Sequence, residues 1–492
     1  MNVIVLIPSH THSESAGLRI RYGRLAEALS RLGIRLALTP IESFDPLKAA
    51  CDVVILSKCY DARGLLVEAL LSQRGIPVGL DLFDDYFSQA KDSRLGRFRS
   101  WLSQALRLAD FAVCSTPAMA SVTSRYRSDI PVHILNDPAP AFDQLALAEG
   151  LSRKIAVAKS EGILRVCWFG IGDNPFFPVG LSDLFAFSSD LRALASAAMP
   201  VELTILTNRR ALNAEGLSMI ARLPLAATIK EWSIKCEADV LGRSMLCYLP
   251  VNGQPFSAAK SLNRALTALS SGCQVLSAGY PIYSAVEQFI YRDAGTFLDD
   301  FSREFFKLSP ANVGGLVRRI DEVGSIDEES TRLANFLAEI TSNTTEQEAR
   351  RGTIYLINGY STSASAHALV KAAGGLSIGT PFCTDPLEFD VIVKLSAKGE
   401  QAIFVSERAR SRLSARWRRQ AASMQRFRRR KFWQVTGNGA SEQNGDTRSA
   451  PLALQLARYK SVMHEISAIL PELFGPGCTV VSENSQLPLE MA

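Results

Sequence analysis

The sequence has 492 residues, enough for about three domains at roughly 150 residues each. Hydrophobic residues make up 47% and charged residues 21%, which excludes an intrinsically disordered chain and leaves ample material for buried cores. No stretch approaches the ~18 apolar residues of a membrane-spanning helix, and the nine cysteines include no Cys-x-x-Cys pair, so we expect a reduced, cytoplasmic protein.

The first 140 residues alternate between strand-like and helical patterns. The apolar run 2–8 has no basic region before it and ends at a proline, so we expect a buried first strand and not a signal peptide. The clearest helix is predicted over 19–32, with Gly33 as its stop. Strands separated by helices of this length indicate βαβ units and a parallel sheet. The predicted strands are 3–7, 35–38, 53–56, 78–82, 111–114 and 132–135.

A second alternation follows a polar helical connection over about 141–162. The predicted strands are 164–170, 201–206, 228–230, 245–249, 275–278 and 296–298, and helices over 311–323 and 328–341 close the unit. We therefore predict an α/β fold with two Rossmann-like domains, residues 1–150 and 160–345, that face a cleft at the carboxyl ends of their strands. A C-terminal α/β extension, 350–492, contains a basic segment, 407–431, and a flexible linker, 436–450.

Polar residues in the loop after the first strand face this predicted cleft. His10 and His12 are both candidates for a general base that activates an acceptor hydroxyl, and the sequence does not choose between them. Arg19 and Arg21 open the next helix, where cations oppose the helix dipole, so we predict that they contact the acceptor. Incidental loop histidines and two solvated arginines are the alternatives.

The carboxylates Asp84 and Asp85 follow the predicted strand 78–82. Carboxylates at the carboxyl end of a strand can bind sugar hydroxyls or act as a catalytic base. Capping of the next helix by either aspartate is the structural alternative.

Candidate anion-binding residues mark the second domain. Gly170 ends a strand in a glycine-containing turn, and Asn208 and Arg209 follow the next strand. Lys260 and Arg264 flank a loop–helix junction and lie four residues apart, a spacing that predicts one helix face. A site for the diphosphate of a nucleotide-sugar is the function that this pattern indicates.

The motifs and their order resemble those of GT-B fold glycosyltransferases, in particular the family 4-like retaining group, over about residues 1–345. The resemblance rests on these segments: Arg21-Tyr22, Asp81…Asp84-Asp85, Ala109-Asp110…Ser115-Thr116, Leu135-Asn136, Trp168-Phe169-Gly170 and Lys260-Ser261-x-Asn263-Arg264…Gly272-x-x-Val275-Leu276. It implies that the first domain holds the acceptor and the second the donor.

The resemblance implies that the site holds its nucleotide-sugar donor without a metal or other cofactor. The donor would be a UDP-, GDP- or dTDP-sugar and the acceptor a glycan or a lipid-linked molecule, in a hexosyltransferase-type reaction of polysaccharide or glycoconjugate biosynthesis. Lys260 and Arg209 would face the diphosphate. The implied nucleotide-sugar site comprises Gly170, Asn208, Arg209, Gln254, Lys260, Ser261, Asn263, Arg264 and Thr267.

One departure from the family pattern lies beside this motif. The family commonly carries two glutamates eight positions apart, and alignment on Gly272 places Ala259 and Thr267 there. Neither side chain can supply a carboxylate, although Thr267 keeps one hydrogen-bonding hydroxyl. The missing glutamates and the C-terminal extension favour one alternative to a transferase, a catalytically silent GT-B-like binding or scaffold subunit. A nucleotide-sugar epimerase on the same two-domain fold is the other alternative.

The basic segment gives the chain a strong charge asymmetry. From Arg408 to Lys431 there are eleven basic residues, and with Glu407 the segment carries +10 against +5 for the whole chain, so the remainder sums to −5. Apolar residues recur near helical spacing among the arginines, which predicts peripheral binding to an anionic membrane surface on its cytoplasmic face. A helix packed on the chain's own acidic body is the alternative. We predict no nucleic-acid partner, because no stacking platform accompanies the arginines.

Overall fold

The first domain is built on a six-stranded parallel sheet with strand order β2-β1-β3-β4-β5-β6. The computed structural model describes residues 1–46 and 48–346 and, beyond them, the backbone of six strands between 354 and 489. The strands are β1 (Asn2–Ile7), β2 (Arg35–Pro40), β3 (Val53–Ser57), β4 (Val78–Leu82), β5 (Phe111–Cys114) and β6 (Val132–Ile134). The helices are α1 (Ala16–Leu18), α2 (Ala26–Arg31), α3 (Ala62–Gln73), α4 (Gly96–Leu108) and α5 (Pro117–Tyr126).

A second six-stranded parallel sheet follows, with order β12-β11-β10-β7-β8-β9. Its strands are β7 (Leu164–Gly170), β8 (Val201–Thr207), β9 (Ala227–Glu231), β10 (Leu246–Tyr248), β11 (Gln274–Leu276) and β12 (Ile290–Tyr291). Its helices are α6 (Gln144–Glu161), α7 (Leu181–Ala186), α8 (Ser188–Ala195), α9 (Ala214–Ala221), α10 (Ile234–Arg243), α11 (Pro255–Ala258), α12 (Asn263–Ser270), α13 (Ala294–Arg303) and α14 (Val313–Gly324).

Local sequence explains where these elements lie and end. Strands β3, β4 and β5 are buried along their whole length, as expected of central parallel strands covered on both faces. Thr116 caps α5 by accepting a hydrogen bond from the Met119 amide, and Pro117 takes the first helical position. Gly33 follows the helix before β2 with φ +78°, the left-handed conformation predicted for a helix stop.

The final helix of this part, α15 (Ile326–Glu346), returns from the second domain to pack on the first. Its buried residues Leu333, Leu337 and Ile340 belong to the hydrophobic core that also contains β1 and β3. Glu329, fully buried, accepts hydrogen bonds from the backbone and side-chain amides of Asn136 at 3.2 and 2.8 Å. By sequence α15 follows the second domain, but by packing it belongs with the first.

The two sheets confirm the predicted α/β fold with two Rossmann-like domains, the GT-B architecture. In each sheet the strand order reverses once, between β1 and β3 and between β7 and β10. Loops at such topological switch points open a crevice at the carboxyl ends of the strands, where α/β proteins bind ligands. The topology therefore places the loops after β1, β3, β7 and β10 as candidate site loops.

Three local predictions differ from the structure. Residues 296–298, predicted as a strand, lie inside α13, because Asp293 caps that helix by accepting from the Thr296 amide and Phe297 and Phe301 share its buried face. Of the helix predicted over 19–32, residues 19–23 form a π-helical turn and residues 26–31 form α2. Lys260 precedes α12, so Lys260 and Arg264 do not share a helix face.

Beyond residue 346 the structure describes six strands. Strands β13 (Ile354–Asn358) and β14 (Leu376–Thr380) pair in parallel, and β15 (Val391–Leu395), β16 (Gln401–Val405), β17 (Cys478–Ser482) and β18 (Pro488–Leu489) form a mixed sheet. The basic segment and the linker 436–450 lie outside the described residues. Among the helices that are described, none is long and apolar enough to cross a bilayer.

Candidate functional site

A cluster of one carboxylate and two ammonium groups joins the two domains. Asp84, 6% exposed in the loop after β4, receives Lys58 of the first domain on one oxygen at 2.8 Å and Lys260 of the second domain on the other. Burial alone would raise the pKa of Asp84, but the two lysines outweigh it and hold that pKa well below its ordinary value. Asp84 is therefore ionised at neutral pH and acts as a counter-ion.

Lys58 directly follows β3 and has an unusual backbone. Its φ of +58° is left-handed, a conformation that costs a non-glycine residue free energy and is often retained at functional sites. Its ammonium lies 4.3 Å from the centre of the Phe83 ring. Burial lowers the pKa of Lys58, but the Asp84 carboxylate outweighs it and raises that pKa overall, so the group stays charged.

The structure separates the two histidines of the β1 loop. His10 is exposed, whereas His12 is half-buried and its Nδ1 lies 3.0 Å from the Ser9 hydroxyl. Burial and the nearby Lys58 charge lower the pKa of His12, so its imidazole is neutral at pH 7. A neutral imidazole can accept a proton, and when Nδ1 donates to Ser9, Nε2 is the acceptor.

In the second domain, Gly170 and Arg264 meet at the carboxyl end of β7. Gly170 has φ +153°, and a Cβ there would lie 3.1 Å from the Arg264 guanidinium, so glycine makes the close approach possible. The Arg264 guanidinium lies 3.4 Å from the Phe169 carbonyl oxygen. Arg264 therefore places a positive charge over the switch point of this sheet.

Asn208 and Arg209 extend the same edge, because Gly170 pairs with Thr207 at the end of β8. Asn208 accepts a hydrogen bond from the Gly172 amide and donates one to Asp173, both at 2.9 Å. Arg209 is exposed. The amide of Asn208 thus shapes the turn, and Arg209 leaves a second cation at the same edge.

The remaining predicted donor residues lie between β10 and the end of α12. Gln254 contacts the Pro178 carbonyl at 3.4 Å, and Ser261 donates to Asp137 at 2.6 Å. Asn263 accepts from Thr267 at 3.3 Å. These contacts hold the loop before α12 in place, and only Lys260 of this group reaches the first domain's ionic cluster.

The structure corrects two predicted site residues. Arg21 is fully buried and pairs with Asp81 at 2.8 Å and Asp137 at 3.0 Å, so it offers no surface to an acceptor and instead ties β4 to the interdomain linker. The Asp85 carboxylate accepts from the Phe87 and Ser88 amides and from the Ser88 hydroxyl. These contacts engage both Asp85 carboxylate oxygens in the turn at residues 85–88, which is neither the predicted catalytic role nor the helix cap given as its alternative.

Arg19 lies at the interdomain contact, where its guanidinium is 5.4 Å from the centre of the Trp232 ring in the second domain. Its Nε is buried without a hydrogen-bond partner among the described residues. This predicted acceptor residue remains a candidate.

Aromatic rings from both domains pack together at the interdomain contact. We call Tyr86 and Phe98 of the first domain and Phe176, Phe177 and Phe256 of the second the aromatic seam. Phe177 stacks on Phe256 at 4.2 Å, and Tyr86 packs against Phe256 at 5.4 Å between ring centres. Phe177 and Phe256 are each 3% exposed and belong to the first domain's hydrophobic core.

Sequence reasoning missed Lys58 and the aromatic seam. Lys58 stands alone after its strand, and only its position after a fully buried run marks it as a residue at the sheet's carboxyl edge. The adjacent Phe176 and Phe177, in the loop that follows Gly170, are the sequence signal for the seam. Within residues 1–46 and 48–346, no group of His, Cys, Asp and Glu is arranged to hold a metal ion.

No protein-family model matches the sequence, and no curated protein matches it. Solved structures of similar fold include a UDP-forming α,α-trehalose-phosphate synthase from Burkholderia vietnamiensis, with 11% identity, coverage of 70% of this chain and 98% of that one, and a TM-score of 0.48. Sucrose-phosphate synthase from Thermosynechococcus elongatus has 12% identity, coverages of 70% and 100%, and a TM-score of 0.48. HepE of Anabaena, solved with UDP and glucose, has 13% identity, coverages of 68% and 99%, and a TM-score of 0.47. At these values the likeness assigns no activity to this chain.

Proposed function

We propose that the chain is a glycosyltransferase that binds a nucleotide-diphospho-sugar between its two domains and transfers the sugar to an acceptor hydroxyl. The observation that supports this proposal is the shared ion cluster: Lys58 and Lys260, from different domains, meet on Asp84 beside the two switch points. An anionic ligand bound between the domains here would contact a lysine from each of them.

The charges at this contact favour an anionic leaving group. Lys58, Lys260 and Arg264 supply three positive charges against the negative charges of Asp84, which pairs with both lysines, and of Asp183, which interacts with Arg264. Fixed cations stabilise a diphosphate as its bond to the sugar breaks, without any reorganisation during the reaction. Arg209, at the same sheet edge, adds a further cation for the phosphates.

His12 is the proposed base. Its lowered pKa keeps the imidazole neutral, and the β1 loop that carries it stands at the first domain's switch point. Removal of the acceptor proton as the sugar bond forms is the role that fits such a group. Arg19, which bridges to Trp232, would help to hold the acceptor.

The finer parts of the proposal concern substrates and location. We propose a UDP-, GDP- or dTDP-hexose as the donor and a glycan or lipid-linked acceptor in cell-surface polysaccharide assembly. Residues 408–431 would bind an anionic membrane from the cytoplasmic side. A pull-down with vesicles of phosphatidylserine and phosphatidylcholine tests this, and equal recovery of the full chain and a chain without 408–431 would refute membrane binding.

The central test is calorimetric titration of the full chain with UDP, GDP, dTDP and the corresponding sugars. We expect one nucleotide to bind and Lys260→Ala to weaken that binding about tenfold or more, since a charge-assisted contact is lost. Lys235→Ala, at an exposed lysine of the same domain, is the matched control and should bind normally. If no nucleotide binds, or if Lys260→Ala and Lys235→Ala bind equally, the proposal is wrong.

A catalytically silent binding subunit is the second candidate, and Ala259 favours it. Ala259, 2% exposed, packs in the first domain's core, and its carbonyl accepts a hydrogen bond from Thr116 at 3.1 Å. This position therefore supplies a buried methyl group in place of an acidic side chain directed at a donor. The test combines nucleotide binding with chromatography of a reaction that contains the nucleotide-sugar. If the nucleotide binds but no sugar is hydrolysed or transferred, the binding subunit is supported over the enzyme.

A further inference from the structure

The buried Arg21 side chain lies between two aspartates that come from different parts of the chain. Its Nε and Nη2 donate to one oxygen of Asp81 at 3.1 and 2.8 Å, and its Nη1 donates to one oxygen of Asp137 at 3.0 Å. Nη1 also donates to the Leu135 carbonyl at 2.9 Å. Arg21 and Asp81 are fully buried, and the side chain of Asp137 is 12% exposed. Because the guanidinium group is a rigid planar fork, it fixes the two carboxylates relative to each other.

The second oxygen of each aspartate accepts a hydrogen bond from a serine. Ser57, 1% exposed at the end of β3, donates to Asp81 at 2.8 Å. Ser261, in the loop before α12, donates to Asp137 at 2.6 Å. We call Asp81 with Ser57 the first arm and Asp137 with Ser261 the second arm. Arg21 is thereby connected through the first arm to the first domain's sheet and through the second arm to the second domain.

Each arm ends beside one of the two lysines that meet on Asp84. Lys58 directly follows Ser57, and Lys260 directly precedes Ser261. A planar peptide bond joins each serine to its lysine, so a serine that is held by a carboxylate restricts where the lysine side chain begins. The restriction matters most at Lys58, because its left-handed φ of +58° has to be held by its surroundings.

These contacts form a closed ring through both domains. The ring runs from Arg21 along the first arm to Lys58, across Asp84 to Lys260, and back along the second arm. The hydrogen-bond partners of Arg21 are the two aspartates and a backbone carbonyl, so its effect on the lysines passes through the arms. Buried hydrogen-bond networks whose members are satisfied hold those members in one arrangement.

We propose that Arg21 is a positioning residue, which sets the places of Lys58 and Lys260 through the two arms. Because Arg21 is fully buried, it meets no ligand itself. The consequence for phosphate binding rests on the transferase function proposed above, in which the two lysines face a diphosphate. The positioning of the lysines does not depend on a nucleotide and is measured without one.

The test is the rate at which an acetylating reagent modifies each lysine of the full chain, read by mass spectrometry after digestion. Acetylation needs a neutral amine, and a carboxylate partner favours the charged form, so a lysine held on a carboxylate reacts slowly. Ser57→Ala should speed the modification of Lys58 alone about threefold or more, the effect of one lost hydrogen bond. Ser261→Ala should do the same for Lys260 alone. Arg21→Lys keeps a buried cation but loses the planar fork, so it should speed the modification of both lysines.

The matched control is Ser277→Ala. Ser277 is a fully buried serine of the second domain that donates to the Leu249 carbonyl at 2.8 Å and belongs to neither arm. Its replacement should leave the rates of both lysines at the wild-type value, and the exposed Lys235 should react equally in every variant. A general loss of stability would not match each serine of an arm to its own lysine.

The proposal is overturned if either serine variant of the arms leaves the rate of its own lysine unchanged, or if Ser277→Ala speeds Lys58 or Lys260 as much. It is also overturned if a folded Arg21→Lys protein modifies both lysines at the wild-type rate. The serine variants decide the outcome where Arg21→Lys does not fold. Since no nucleotide is present, a failed UDP titration rejects the transferase proposal and leaves the positioning role of Arg21 standing.

Discussion

At the scale of single residues, Asp84 shows how two domains can share one charge. Its folded pKa lies below the ordinary value, so the stability it contributes is complete above pH ~4 and is lost only as the pH falls through the lower folded pKa. A carboxylate with so low a pKa is a weak base, so we expect Asp84 to act as a counter-ion and not as the catalytic base. Its role is to hold Lys58 and Lys260 together across the domain contact.

Asp84→Asn should therefore lower stability and strengthen anion binding at once. Two lysines lose their counter-ion, at a cost of about 1–3 kcal/mol because both ammonium groups are partly exposed. A nucleotide diphosphate then replaces the missing charge, so the rise in melting temperature caused by UDP should be larger than in the wild type. Thermal unfolding with and without UDP measures both effects.

The control for this experiment is Asp129→Asn, which removes an exposed carboxylate that pairs with Arg127 in the same domain. Its melting temperature and its response to UDP should both match the wild type within error. A UDP response that shrinks in Asp84→Asn would mean that Asp84 orients the lysines for the ligand instead of competing with it.

At the scale of elements, α15 contacts the first domain through a half-buried histidine of β6. His133 of β6 stacks on Phe336 of α15, with 5.0 Å between ring centres and 22° between planes. Burial, together with the positive charges of Arg21 and Arg332, lowers the pKa of His133 to about 4. The His133 ring is therefore neutral in the folded protein, as its stacking on Phe336 favours.

This histidine predicts a loss of stability in mild acid. Because the folded pKa is below the unfolded value, the unfolded chain takes up the proton first, and stability falls as the pH drops from about 6.5 toward 4. We expect His133 to account for about 1–2 kcal/mol of the loss between pH 7 and pH 5. Urea unfolding of His133→Phe should show a loss smaller by that amount. His10→Gln, at an exposed histidine, is the control, and an equal loss in His133→Phe and His10→Gln would contradict the assignment.

Periodic patterns in the sequence predict the elements but not the partners of their polar residues. The buried runs of β3, β4 and β5 and the glycine after α2 are local signals, and the fold followed from them. The strand predicted over 296–298 is wrong. A run with β-branched and aromatic residues is typical of a strand, but the cap at Asp293 and the packing of Phe297 favour a helix.

The contacts of the candidate site could not be predicted from the sequence, because the residues that pair lie far apart along the chain. The place of Arg21 at a helix start predicts a contact with the acceptor, but its partner Asp81 lies 60 residues away and determines its role. Lys260 meets Asp84 across 176 residues. A single sequence identifies such residues as unusual and gives no means of pairing them.

At the scale of the whole molecule, the two domains are joined by a common core. The first domain's hydrophobic cluster includes Phe177, Phe256 and Ala259 of the second, all nearly inaccessible to solvent. Separation of the domains would expose these rings, at about 25 cal/mol for each Å² of apolar surface. The closed arrangement is therefore favoured, and a ligand that enters between the domains must be compatible with the aromatic seam.

A shared core predicts that the domains unfold together, and that loss of the seam uncouples them. Each of Phe177→Ala and Phe256→Ala should cost about 3–5 kcal/mol, and the double variant should leave the sheets to unfold independently. Trp101 of the first domain and Trp168 of the second, both fully buried, report on each core when fluorinated and followed by ¹⁹F NMR. In the wild type the native signals of both tryptophans should disappear at one urea concentration, and in the double variant at two.

Phe297→Ala removes a fully buried ring inside the second domain and is the control. It lowers stability without changing the aromatic seam, so it shows whether a loss of stability alone uncouples the domains. If the double variant still unfolds at a single urea concentration, as we expect of Phe297→Ala, the seam contributes stability but does not couple the domains.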